Sequence, residues 1–190
     1  PVVVSIWEMV VPVPEPVPDP EPDPDPEPVP DPEPVPEAVV RMADTTWTET
    51  ENAVQALLDE GGTVVVHFWA PWCHNSNNEY RSGFWPEVID ANEEVTFVFV
   101  TVFNDGELGE RTLDRHNIPE RVVRLAQPDE GPSHIRSNRR RTFLEKPLTW
   151  TPTTWIFHDT RHAFALNYGE VNAVLLQALL DNARADWSGH

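Results

Sequence analysis

Val64-Val65-Val66-His67-Phe68-Trp69-Ala70-Pro71-Trp72-Cys73-His74-Asn75-Ser76 runs from an apolar stretch through a turn into the start of a helical pattern. Cys73 is the only cysteine among 190 residues and falls at the beginning of that helix. Free N–H groups and the macrodipole at a helix N-terminus stabilise a thiolate. The thiolate, not the thiol, is the nucleophile of disulfide exchange. Three residues on, where a dithiol site would carry its second sulfur, stands Ser76. A single cysteine excludes an intrachain disulfide.

Outward from this stretch the periodicities alternate. Thr63 to Trp69 reads as a buried strand. Before it, Thr48 and Glu51 form a capping-box pattern ahead of Val54, Leu57 and Leu58, a helical stripe that Gly61-Gly62 ends. After it, a helix is expected from Cys73 to about Trp85, where Pro86 breaks or kinks it, with a short continuation to Ala91. Val95 to Phe103 is strongly β-prone and reads as a second central strand. Asn104-Asp105-Gly106 turns the chain, and Leu108 to His116 can be helical. Residues 119–149 read as an irregular insertion. Thr154 to His158 and Ala163 to Tyr168 read as a hairpin joined at Asp159-Thr160-Arg161-His162. A final amphipathic helix is expected from Val171 to about Ala185, with Val174, Leu175, Ala178 and Leu179 on its apolar face. Strands alternating with helices define an α/β domain over residues 42–190: a mixed sheet covered on both faces that closes with an antiparallel hairpin.

Residues 1–41 have a different composition. From Pro12 to Pro36 every even position is proline, alternating with Val, Glu or Asp. Such a tract lacks ladder donors, favours polyproline II and would reach roughly 80 Å. It reads as a disordered spacer, of the kind that holds a domain away from an envelope membrane; a ligand for a proline-recognising module is the alternative, though flanking basic residues are missing. Residues 1–40 hold ten carboxylates and no basic residue, and subtracting them from the net charge of -19 leaves -9 for residues 41–190. Lys146 is the sole lysine, as suits a salt-adapted source or a biased genome. Nucleic acid is not an expected partner, since phosphate contacts need clustered Lys and Arg. Arg136, Arg139, Arg140 and Arg141 form one basic cluster, read as a solvated surface paired with Asp and Glu, or as a docking site for an acidic partner or for the acidic tract itself. Seven scattered histidines and one cysteine supply no zinc spacing.

Three motifs together carry a family resemblance. Phe68-Trp69-Ala70-Pro71-Trp72-Cys73, Thr151-Pro152, and Thr154-Trp155-Ile156-Phe157 followed by a strand ending at Gly169 resemble the thioredoxin superfamily over roughly residues 47–185, and its exported members in particular. The resemblance implies a thioredoxin-like mixed sheet flanked by helices, with Thr151-Pro152 as a cis-proline loop that faces Cys73 and pairs with a substrate strand. It implies that Trp72 shields the thiol and offers a flat apolar contact. Two departures stand out. The redox motif is Cys73-His74-Asn75-Ser76 rather than Cys-x-x-Cys, as a monothiol protein or a substrate-trapping substitution would have it. His67 occupies a strand position where the family often carries an acidic proton relay. His67 reads either as a base or electrostatic partner, or as a packed histidine bonded to backbone. His74 can raise the thiolate fraction when protonated, although neighbours i and i+1 do not face each other on a helix. Ser76 can donate a hydrogen bond to the Cys73 sulfur, or serve as an ordinary first-turn polar residue.

These residues imply thiol–disulfide exchange through one nucleophilic cysteine. The expected partners are a disulfide-containing protein or a low-molecular-weight thiol adduct, plus an external thiol as reductant. No metal or organic cofactor is needed. The expected location is extracytoplasmic, in a bacterial periplasm or cell envelope, with a membrane tether upstream of residue 1. The alternative is a redox-inactive binding module whose groove of Trp72, Thr151 and Pro152 holds extended peptides.

Overall fold

The computed structural model describes residues 47–185. The spacer expected over residues 1–41 and the domain start near Met42 lie outside the described residues. In chain order these form α1 (Glu49–Asp59), β1 (Thr63–Trp69), α2 (His74–Arg81), α3 (Phe84–Ala91), β2 (Thr96–Thr101), α4 (Glu110–Arg115), β3 (Val123–Ala126), a 3-10 turn (Arg136–Asn138), β4 (Thr142–Phe143), β5 (Lys146–Pro147), β6 (Thr153–His158), β7 (Arg161–Asn167) and α5 (Ala173–Arg184).

β1 is central because both its faces are apolar, and all seven of its residues are buried. β2 lies parallel on one side of it and β6 antiparallel on the other. β3 and β7 form the edges, giving the order β3-β2-β1-β6-β7. Strand alternation sends Val64, Val66 and Phe68 towards Val54 and Leu58 of α1, with Trp155 and Phe157 beside them. Val65 and Trp69 go to the opposite face, against Tyr80, Trp85, Val88 and Ile89 of α2 and α3 and against Leu176 and Leu180 of α5. The result is the three-layer arrangement expected of a sheet buried on both sides. α1 starts with a full capping box: the Thr48 hydroxyl accepts from Glu51 N at 3.1 Å, and Glu51 Oε2 accepts from Thr48 N at 2.9 Å.

Five details differ from the sequence reading. The helix after Cys73 breaks at Gly83, which has φ +78° and caps α3; Pro86 sits inside the first turn of α3, where a missing N–H leaves no bond unmade. Residues 119–149 are not wholly irregular, because β3 completes the sheet as a parallel partner of β2. Its four residues are too few for a period to show. The hairpin turn is two residues, Asp159 and Thr160, both with positive φ, as a type I′ connection requires. The buried face of α5 is Leu176, Leu180 and Ala183, with Leu175 and Leu179 packed at its flank, whereas Val174 is 81 % exposed. Asn172 caps α5 by accepting from Leu175 N, so the first turn starts later than Val171.

Candidate active site

At the C-terminal end of β1, Ala70, Pro71 and Trp72 turn the chain so that Cys73 becomes the N-cap of α2, with extended φ and ψ of -77° and 121°. Cys73 N donates to Ala70 O at 3.0 Å. The Asn77 side chain donates to Pro71 O at 2.7 Å and to Cys73 O at 2.9 Å, pinning the turn to the helix. Ser76 is fully buried, and its hydroxyl accepts from Ala70 N at 3.3 Å. The loop before β6 comes up opposite. Its Thr151–Pro152 peptide bond is cis, and the Cys73 thiol donates to Thr151 O at 3.4 Å.

Burial pushes the Cys73 thiol up, but hydrogen bonds from the Thr151 side chain, from the backbone and hydroxyl of Ser76 and from the Asn75 backbone outweigh it. The thiol is left below its ordinary value of 9.0. Those bonds favour the charged sulfur, which is the form that reacts.

A groove of about 420 Å³ opens beside the thiol, with Trp72, Cys73, Thr151 and Trp150 among its lining residues. Trp72 is 52 % exposed, yet its indole N–H donates to Phe103 O at 2.8 Å and its ring lies 4.8 Å beneath the Arg139 guanidinium. One face is therefore fixed while the rest meets solvent. Pro152 is buried behind Thr151.

The structure thus brings together Cys73, Ser76, Trp72, Thr151 and Pro152. His74 is exposed on the outer side of α2. His67 is wholly buried on β1 and bonds a side chain rather than backbone: Nδ1 lies 3.0 Å from the Thr154 hydroxyl. Its ring is packed among Trp85, Phe99 and Tyr80, and Nε2 has no partner among the described residues. Burial pushes its pKa down to about 3. The 3.7 Å approach of His67 Nδ1 to Glu79 Oε1 is therefore a contact of a neutral imidazole, not an ion pair, at neutral pH.

Glu79, Asn77 and Trp150 were not singled out from the sequence, and Arg139 was read there only as part of the basic cluster. Burial pushes the Glu79 carboxyl up to about 7, against a hydrogen bond donated by Trp85 Nε1 at 3.1 Å. Its spacing of three from Ser76 puts both on one helix face, which is a readable signal. Among the described residues no cluster of three His, Cys, Asp or Glu side chains is placed to hold a metal ion, and no helix is long and apolar enough to cross a membrane.

A five-stranded mixed sheet with helices on both faces, and a cysteine-capped helix facing a cis X–Pro loop, define a thioredoxin-like fold. The resemblance read from the sequence holds at the level of the fold. Among solved structures, the chain is similar to a secreted Mycobacterium tuberculosis disulfide oxidoreductase homologous to E. coli DsbE, with 21 % identity over 67 % of this chain and 85 % of that one, at a TM-score of 0.48. It is also similar to a thioredoxin-family thiol:disulfide interchange protein from Chlorobium tepidum, with 18 % identity, 68 % and 83 % coverage and a TM-score of 0.48. A thiol-disulfide isomerase from Corynebacterium glutamicum gives 19 % identity, 69 % and 86 % coverage and a TM-score of 0.47. No protein-family model matches the chain, and no curated protein matches it.

Proposed function

We propose that this protein carries out thiol–disulfide exchange with Cys73 as its single nucleophile. The observation that carries the reading is the setting of that sulfur: a half-buried N-cap thiol, held below its ordinary pKa by Thr151, Ser76 and Asn75 at the edge of an open groove. The Cys73 thiolate attacks one sulfur of a partner disulfide. A Cys73–partner disulfide forms as the partner's S–S bond breaks, and the departing thiolate takes a proton from water. A thiol of the same partner then displaces Cys73, which isomerises the disulfide. Where the disulfide is a low-molecular-weight adduct, Cys73 takes the small thiol, the partner leaves as a free thiol, and one external thiol displaces Cys73 as a small-molecule disulfide. Net reduction of a partner's own disulfide consumes two external thiols: one attacks the Cys73 sulfur and frees the partner, and the second releases Cys73 as the two small thiols become one disulfide. Ser76 stabilises the thiolate, Trp72 and Thr151 present the wall against which the partner chain lies, and the buried Pro152 backs Thr151. His67 packs the core below the site, and His74 faces solvent. An extracytoplasmic setting suits this chemistry.

The rate of alkylation of Cys73 against pH tests the reading directly. The midpoint is expected below 9.0, and Ser76→Ala is expected to raise it. A glutathione mixed disulfide should turn over with the parent chain and not with Cys73→Ser. A midpoint at or above the ordinary thiol value, with no turnover, would sink the enzyme reading and leave a peptide-binding groove.

A further inference from the structure

We propose that the groove beside Cys73 is built for acidic polypeptide: that it receives a chain segment whose Asp and Glu residues flank the cysteine to be attacked. The proposal rests on the thiol-exchange reading and adds the substrate class.

Three arginines, Arg136, Arg139 and Arg141, line the same groove as Cys73. Arg124 faces Asp114 at 2.7 Å, Arg140 faces Glu51 at 3.8 Å, and Arg184 faces Asp181 at 2.6 Å. Among the described residues, no carboxylate stands in an ion pair with any of the three groove arginines. This overturns the reading of the whole cluster as an Asp/Glu-paired surface; within it, only Arg140 is so paired. Two carboxylates of the neighbouring loops are occupied otherwise. Asp129 accepts from the backbone of Asp105 and Arg140, and it feels Arg139 only through space. Asp105 accepts from Ser133 N.

Arg139 is prearranged. Its Nε donates to Ser133 O at 2.8 Å, and its plane lies over Trp72 at 4.8 Å and Phe103 at 5.6 Å. The other guanidinium nitrogens face no acceptor among the described residues. A planar fork held in this way suits bidentate capture of a carboxylate. Arg136 and Arg141 are exposed and add charge on the same wall.

Such a concentration is notable in a chain of net charge -19. Repulsion from carboxylates elsewhere on the chain is screened beyond about 8–10 Å at physiological salt, so the groove's own arginines dominate once a ligand is in contact. A polypeptide is favoured over a small adduct because the wall extends past the sulfur, with Trp72 52 % and Trp150 70 % exposed as flat surfaces along it.

The test uses the full chain and short peptides, each with one cysteine activated as a mixed disulfide with thionitrobenzoate and flanked by Glu, Gln or Lys. Cys73 attacks the peptide sulfur, forms the Cys73–peptide disulfide and expels the coloured thiolate, so the electrons balance without another reagent. At low salt the Glu peptide should react about tenfold faster than the Gln peptide, and the Lys peptide more slowly. The preference should vanish at about 0.5 M salt and fall at least threefold in Arg136→Ala/Arg141→Ala, which leaves Arg139 in place. Equal rates for the three peptides, or a Glu preference undiminished by the double substitution, would overturn the proposal. If no peptide releases the thiolate, the exchange reading fails instead. Fluorescence anisotropy of a labelled Glu peptide then decides the groove separately: binding weakened by the double substitution upholds it, and absent or unchanged binding overturns it.

Discussion

Glu79 and His67 share a buried pocket yet respond to pH in opposite directions. The folded state keeps Glu79 protonated up to about 7, above its ordinary 4.5, so between those values folding binds a proton that the unfolded chain releases. Stability from this group falls as pH rises through that window. His67 is neutral in the fold down to about 3, below its ordinary 6.5, so the unfolded chain binds the extra proton. Stability from this group falls as pH drops through that window. The two slopes oppose each other between 4.5 and 6.5 and flatten the profile there. Glu79→Gln removes one of them. The expected outcome, read from urea midpoints across pH 4 to 8, is a stability that climbs with pH in the variant by on the order of 2–3 kcal/mol relative to the parent. Identical profiles would mean that the carboxyl is not held protonated. Ser76 and Cys73 were legible from the sequence because their spacing alone marks them. His67 as a side-chain-bonded core residue was not, because its partners Thr154 and Glu79 come from a distant strand and the next helix.

At the scale of elements, the turn that presents Cys73 depends on a glycine far along the chain. Gly109 caps α4 with φ +67°, and a Cβ there would lie 2.8 Å from both the Pro71 ring and the Trp69 indole. Left-handed backbone and close approach both require glycine at this position. Gly109→Ala is expected to lower stability by about 2–4 kcal/mol, combining backbone strain with overpacking, and to slow alkylation of Cys73 by disturbing Pro71. A thermal scan with no loss would show that the turn has room to shift. Long, uniform elements such as α1 and β1 were readable because caps and apolar runs mark them in the local sequence. β3, with four half-buried residues at a sheet edge, was not; its identity comes from pairing with β2. The break at Gly83 was misplaced to Pro86 for a related reason: proline is a breaker within a helix but a favoured residue in a first turn.

For the molecule as a whole, charge is the dominant property. With -19 on the chain and -9 on residues 41–190, like charges oppose compaction. Raising sodium chloride from about 0.02 to about 0.3 M should therefore raise the urea midpoint at neutral pH. A midpoint that falls would mean that ion pairs such as Arg124–Asp114 outweigh the repulsion. The overall α/β architecture was readable from the alternation of helical and strand periods, whereas the concentration of unpaired arginines beside Cys73 was not. It depends on the 3-10 turn and on the β4–β5 ribbon folding back towards the thiol. The solitary sulfur has a further, kinetic consequence. On the proposed chemistry, a protein with one thiol has nowhere to store a pair of electrons between encounters. Wherever the acceptor offers no thiol of its own, each cycle waits on a second collision. Turnover is then first order in the surrounding small thiol until that step saturates, and the ambient thiol supply sets how long a partner stays tethered.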